Sequence, residues 1–131
     1  MKAPGSGDED HAIGVLIGES LRAGRTLTDL DINLGGITRL TQAKPALGQP
    51  RAWTLIEFTA DASGADSLAE CLAEALDSGP WYVEFHTHHQ TFVVFRDRVF
   101  RFPRDDDDGH TAARTYGRNL GIPDHQLDWT R

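Results

Sequence analysis

Residues 81–102 read WYVEFHTHHQTFVVFRDRVFRF, and the fold is decided in this run. Apolar and polar side chains alternate at period two, the spacing of a strand whose side chains point to opposite faces in turn. The alternation breaks at His88-His89-Gln90 and again at Arg96-Asp97, where turns belong. The run therefore predicts consecutive antiparallel strands. It holds three of the six histidines, so chemistry is expected on or beside this meander. Its aromatic residues, from Trp81 and Tyr82 to Phe100 and Phe102, occupy both parities. Helices on one face cannot cover both sets. An apolar patch on the other face is expected, and with it a ligand or a second subunit.

Just upstream, residues 53–58 (WTLIEF) carry apolar side chains at both parities, as a strand inside a sheet does. Between that strand and the meander, Leu68, Cys71, Leu72, Ala75 and Leu76 form one stripe at helical spacing. Ser67-Leu68-Ala69-Glu70 reads as a capping box, and Asp77-Ser78-Gly79-Pro80 as the stop. On that stripe Cys71 is expected to be a small buried residue and not a reactive thiol.

Downstream, a second helix is predicted over 108–119, with Ala112, Ala113, Tyr116 and Leu120 inward, Gly121 as its cap and Pro123 beyond. The aspartates 105–108 suit its first turn, where the helix dipole favours carboxylates. They do not make an EF-hand loop, which needs alternating oxygen ligands and a terminal glutamate. Leu127 and Trp129 are expected to anchor a returning tail.

Toward the N-terminus, Leu30, Ile32, Leu34 and Leu40 share one parity across Gly35-Gly36, which reads as a single bent strand. Residues 12–21 read as a strand, since Gly14 and Gly18 weaken a helix. Residues 1–10 are Gly-, Pro- and acid-rich and are expected to be a disordered tail. The expectation is one α+β domain over 11–131, a mostly antiparallel sheet with two helices packed on one face, a ferredoxin-like variant.

Composition narrows the function classes. A 131-residue chain fits one domain of about 100–150 residues. Net charge is −7, a field that repels phosphate backbones, so no nucleic-acid partner is expected. No apolar run approaches the roughly 20 residues of a membrane span, and the first ten residues lack the apolar centre of a secretion signal. With a lone cysteine, Cys71, the expected compartment is the cytoplasm. Lys2 and Lys44 are the only lysines among thirteen bases, an arginine bias that points to a GC-rich bacterial genome.

Three phrases carry a resemblance: Trp53-Thr54-Leu55-Ile56-Glu57-Phe58, Val99-Phe100-Arg101-Phe102-Pro103-Arg104, and Gly121-Ile122-Pro123 with Gln126-Leu127-Asp128-Trp129. They resemble those of a family of small uncharacterised bacterial proteins. The resemblance spans most of residues 15–129 and implies no activity, so it transfers no residue roles.

The chemistry-bearing candidates are then as follows. If the strand persists through His88, then Glu84, His86 and His88 project from one face as a row of metal ligands. A JAMM-type metalloprotease pattern fails because Val99 stands where a downstream aspartate belongs. A cupin pattern fails because residues 90–96 hold no glutamate. Arg96, Arg98, Arg101 and Arg104 form a basic edge, of which the first three with Tyr82 are candidates to hold an anionic small molecule or partner, the alternative being protection of a sheet edge. There is no P-loop, Gly-x-Gly-x-x-Gly, Gly-x-Ser-x-Gly or Cys-x-x-Cys, and no cofactor is expected. The reading that follows is a non-enzymatic module binding a small molecule or protein, self-associating as a dimer or larger through its sheet. The alternative is a metal-binding or acid–base enzyme built on the strand histidines.

Overall fold

The structure is a computed structural model and describes residues 11–129. The expected tail at 1–10 lies outside the described residues. Eight elements follow in order: β1 (His11–Ile17), β2 (Ile32–Thr41), β3 (Ala52–Asp61), α1 (Ala65–Ala75), β4 (Val83–His86), β5 (Gln90–Phe95), β6 (Arg98–Pro103) and α2 (Asp107–Asn119). The strands form one antiparallel sheet in the order β2-β3-β1-β4-β5-β6. This is the expected α+β class. No helix among the described residues is long and apolar enough to cross a membrane.

Register defines the two faces, because residues directly opposite in an antiparallel pair point the same way. Gly14 lies opposite both Phe58 and Phe85, and Phe85 opposite Phe92. The side chains of this face pack with Leu68, Leu72 and Leu76 into one core beneath α1. Val15 lies opposite both Glu57 and Glu84, and Glu84 opposite Val93. On this second face Val93, Phe95 and Phe102 pack with Ala113 of α2 and with Ile122, Leu127 and Trp129 of the tail. The two helices therefore lie on opposite faces, not on one. The reason is in the meander itself: β5 and β6 are apolar at both parities, so each face needs its own cover. Three strands, not two, also separate the helices, and this departs from the ferredoxin-like pattern.

Several local expectations shift. β4 ends at His86, and Thr87 closes a turn on Gln90 with N–H to O at 2.9 Å, so His88 is a turn residue and not a strand residue. The helix α1 begins two residues before Ser67, with Gly64 at its N-cap and no side-chain cap bond, so the capping box does not form. Cys71 is only half-buried, at the edge of the stripe. β2 is one strand, as read, but it bulges between Leu34 and Gly36. The extra residue reverses the parity, so Ile37 and not Leu40 shares the face of Leu34. In α2 His110, Ala113 and Gly117 are buried, and Tyr116 and Leu120 pack half-buried against the same core as expected, while Ala112 is exposed. A Cβ on Gly109 would come within 2.5 Å of the Phe102 ring, so glycine there sets how closely α2 approaches the sheet.

The ends of α2 follow the sequence closely. The Asp106 carboxylate accepts from Asp108 N at 3.1 Å. At the other end Gly121 has φ +90°, its N–H reaching Arg118 O and that of Ile122 reaching Gly117 O. That pair of bonds is a Schellman cap, and it turns the chain back across the sheet as the tail.

Candidate functional site

α2 and the tail cover only half of the second face. Over β1 and its neighbours the same face is open, with Ile13 49% and Val15 39% exposed. A groove of about 300 Å³ runs along the boundary between the halves. Its floor is Val15, Ile17, Leu40 and Leu55, and its walls include Trp53, Trp81, Tyr82 and Trp129. All three tryptophans of the chain thus line one concavity.

The walls are fixed by polar contacts at their backs. Trp53 Nε1 donates to Pro50 O at 2.8 Å and its ring sits 5.5 Å from that of Trp81. The Tyr82 hydroxyl donates to the Gln126 carbonyl, and burial pushes its pKa up, with Asp128 and Glu84 adding to the effect. Trp129 Nε1 donates to His110 Nδ1 at 2.8 Å, and the other ring nitrogen of His110 faces Arg104 O at 2.8 Å. An indole N–H only donates, so Nδ1 accepts and Nε2 carries the hydrogen. Arg114 adds N–H bonds to the Leu127 and Trp129 carbonyls. The amides of Gln49 and Gln126 bond reciprocally at 2.9 Å and tie the 42–51 loop to the tail.

Glu84 is the carboxyl that a sheet strand sets into this surface. His86 Nδ1 lies 3.3 Å from Glu84 Oε2. Burial pushes the Glu84 carboxyl up to about 7, against the pull of Arg104. Burial and Arg104 both push the His86 imidazole down. The Glu84 carboxyl thus exchanges a proton within the physiological range.

The expected metal row is not assembled. Glu84 and His86 are adjacent on the sheet, but His88 sits in the turn, its ring 4.6 Å from that of His89. Among the described residues no group of three His, Cys, Asp or Glu side chains is placed to hold a metal ion. The basic edge does not converge either. Arg96 lies in the β5–β6 turn and donates to Leu76 O at 3.2 Å. Arg98 stacks on Phe100 at 4.5 Å, and Arg101 pairs with Asp66 at 2.6 Å on the opposite face. β6 is a sheet edge, and alternation sends its arginines to different sides. Tyr82 alone of the expected ligand-binding set reaches the groove.

The aromatic surface on which self-association was expected is interior, under α2 and the tail. Sequence reasoning passed over Trp53, Trp129 and His110 as site residues. One signal was available: three tryptophans separated in sequence but each adjoining a strand or an anchor. Comparison with protein-family models, with curated proteins and with solved structures finds no match, so roles here rest on geometry.

Proposed function

We propose that this protein is a binding module for a small, largely apolar ligand held in the groove. The observation that carries the reading is the convergence of all three tryptophans and Tyr82 around an open apolar floor. A cavity of about 300 Å³ is at the small end of ligand pockets, which are mostly apolar with a few polar groups that fix orientation. Self-association belongs to the same proposal, with Ile13 as the exposed apolar surface beside the groove.

Titration with N-phenyl-1-naphthylamine, a neutral apolar fluorophore, tests the reading. Saturable binding is expected, with energy transfer from the tryptophans. Val15→Arg, at a partly exposed position, is expected to abolish it without unfolding the chain. Linear, non-saturating uptake, or binding unchanged by Val15→Arg, counts against the proposal.

A second reading is acid–base chemistry. It is favoured by one observation, a carboxyl near neutral pKa beside an imidazole at 3.3 Å. Such a site takes and returns protons best when its pKa lies near the working pH. A groove ligand consumed by the wild type, but bound unchanged by Glu84→Gln, would select this reading over simple binding.

A further inference from the structure

We infer that the groove selects organic cations, an amine or quaternary ammonium carried on an apolar or aromatic body. This rests on the binding-module reading and names its ligand class. The groove lining contains two carboxylates, Glu84 and Asp128, and neither an arginine nor a lysine. Glu57 adds a third carboxylate on the same face, one strand across from Val15. The strand positions of β1 to β4 that point to this face hold no arginine or lysine: Arg39, opposite Thr54, points to the other side.

The walls supply the rest of the recognition. The faces of Trp and Tyr rings attract cations, more strongly where water is excluded. Trp129 already holds a guanidinium, that of Arg114, 4.8 Å from its ring centre. An ammonium beside Glu84 would find a carboxylate for its N–H groups or its charge, while an aromatic body lies on Val15, Leu55 and the tryptophans. An anionic ligand would face Glu84 and Asp128 with no arginine or lysine lining the groove and His125 as its single imidazole. The chain's charge of −7 steers in the same direction at long range.

Binding is coupled to the ionisation of Glu84. Around that carboxyl stand His86 on its own strand, Tyr82 just before it, His125 and Asp128 on the tail and Arg104 after β6. Its cross-strand neighbours Val15 and Val93 carry no charge. A bound ammonium stabilises the carboxylate, so affinity for the cation rises as pH increases through about 7.

Three probes of one shape decide the matter: 1-naphthylmethylamine, 1-naphthylmethanol and 1-naphthoate, each competing with N-phenyl-1-naphthylamine on the full chain. Roughly 0.5 M salt screens the long-range field. The amine is expected to bind about tenfold more tightly than the alcohol at about pH 8, and 1-naphthoate most weakly. Glu84→Gln is expected to bring the amine within about threefold of the alcohol measured on the same variant. Asp128→Asn, at an exposed position, keeps the test independent of Glu84 and is expected to lose part of the preference. Equal binding of amine and alcohol, or preference for 1-naphthoate, overturns the cation inference and leaves the module standing. Failure of all three probes and of the fluorophore overturns both.

Discussion

Two halves of one sheet face, built from similar sequence, meet different fates. Over β5 and β6, Val93, Phe95 and Phe102 disappear beneath α2 and the tail. Over β1 and β3, Ile13, Val15, Ile17 and Leu55 belong to the same face but lie beyond the reach of that cover. Period-two alternation shows which side chains share a face and says nothing of what lies on top. Cover is a tertiary property, set here by the Schellman turn at Gly121 and by His110 and Arg114, which hold Trp129 at the boundary. The covered half is core and the open half leaves Ile13 and Val15 exposed.

The sharpest contrast between the halves is energetic. Phe95→Ala in the covered half should destabilise by about 3–5 kcal/mol, since its fully buried ring touches Tyr82, Phe100 and Tyr116. Denaturant melts would measure it, and a loss below about 1 kcal/mol would mean α2 does not seal that half.

Next in size is the pH response of Glu84. Its folded pKa of about 7 stands above the usual carboxylate value, so its contribution to stability is complete below the unfolded pKa. That contribution declines as pH rises, up to about 7. His86, pushed downward, has the opposite sense and contributes most above its unfolded value. The difference between wild type and Glu84→Gln isolates the carboxyl. The glutamine variant should gain on the wild type by on the order of 2–3 kcal/mol between roughly pH 4.5 and 7.5. A pH-independent difference would show that Glu84 is solvated, and that the floor of the groove is wetter than described.

A smaller effect is expected at the boundary. His110→Phe removes the ring nitrogens that bond the Trp129 N–H and the Arg104 carbonyl, a loss of about 1–3 kcal/mol, with a red shift of tryptophan emission as the tail loosens. Unchanged emission would show the tail held without the His110 bond, by Arg114 and the Gln49–Gln126 pair. Least affected is the open half. Ile13→Ala should change stability by under about 1 kcal/mol because the side chain is 49% exposed, and sedimentation would report whether it alters self-association.

Much of the framework was legible in the chain. Three strands of the meander, the Arg96-Asp97 turn, the second helix with Gly121 at its end, and Leu127 and Trp129 as anchors all follow from alternation and turn chemistry. The side on which each helix packs was not, because a helical stripe shows that a helix needs a sheet face without showing which. The bulge at Gly35 was hidden as well. A glycine pair is compatible with a bend or an inserted residue, and only the second moves Leu40 into the groove. The histidine row failed for a local reason: Thr87 and Gln90 close the turn, so the strand ends before His88. The groove was the least legible part, since Trp53 comes from β3, Trp81 from the segment before β4 and Trp129 from the tail.

The central claim, that the open half of this face is a ligand site, is tested most directly by mapping amide and indole chemical shifts during titration with 1-naphthylmethylamine. The account predicts saturable shifts at Val15, Ile17, Leu55 and Glu84 and at the indole N–H groups of Trp53, Trp81 and Trp129, with the β5–β6 core unmoved. Shifts gathered instead at exposed Leu34 and Ile37 on the opposite face, or no saturable shifts at all, would contradict it.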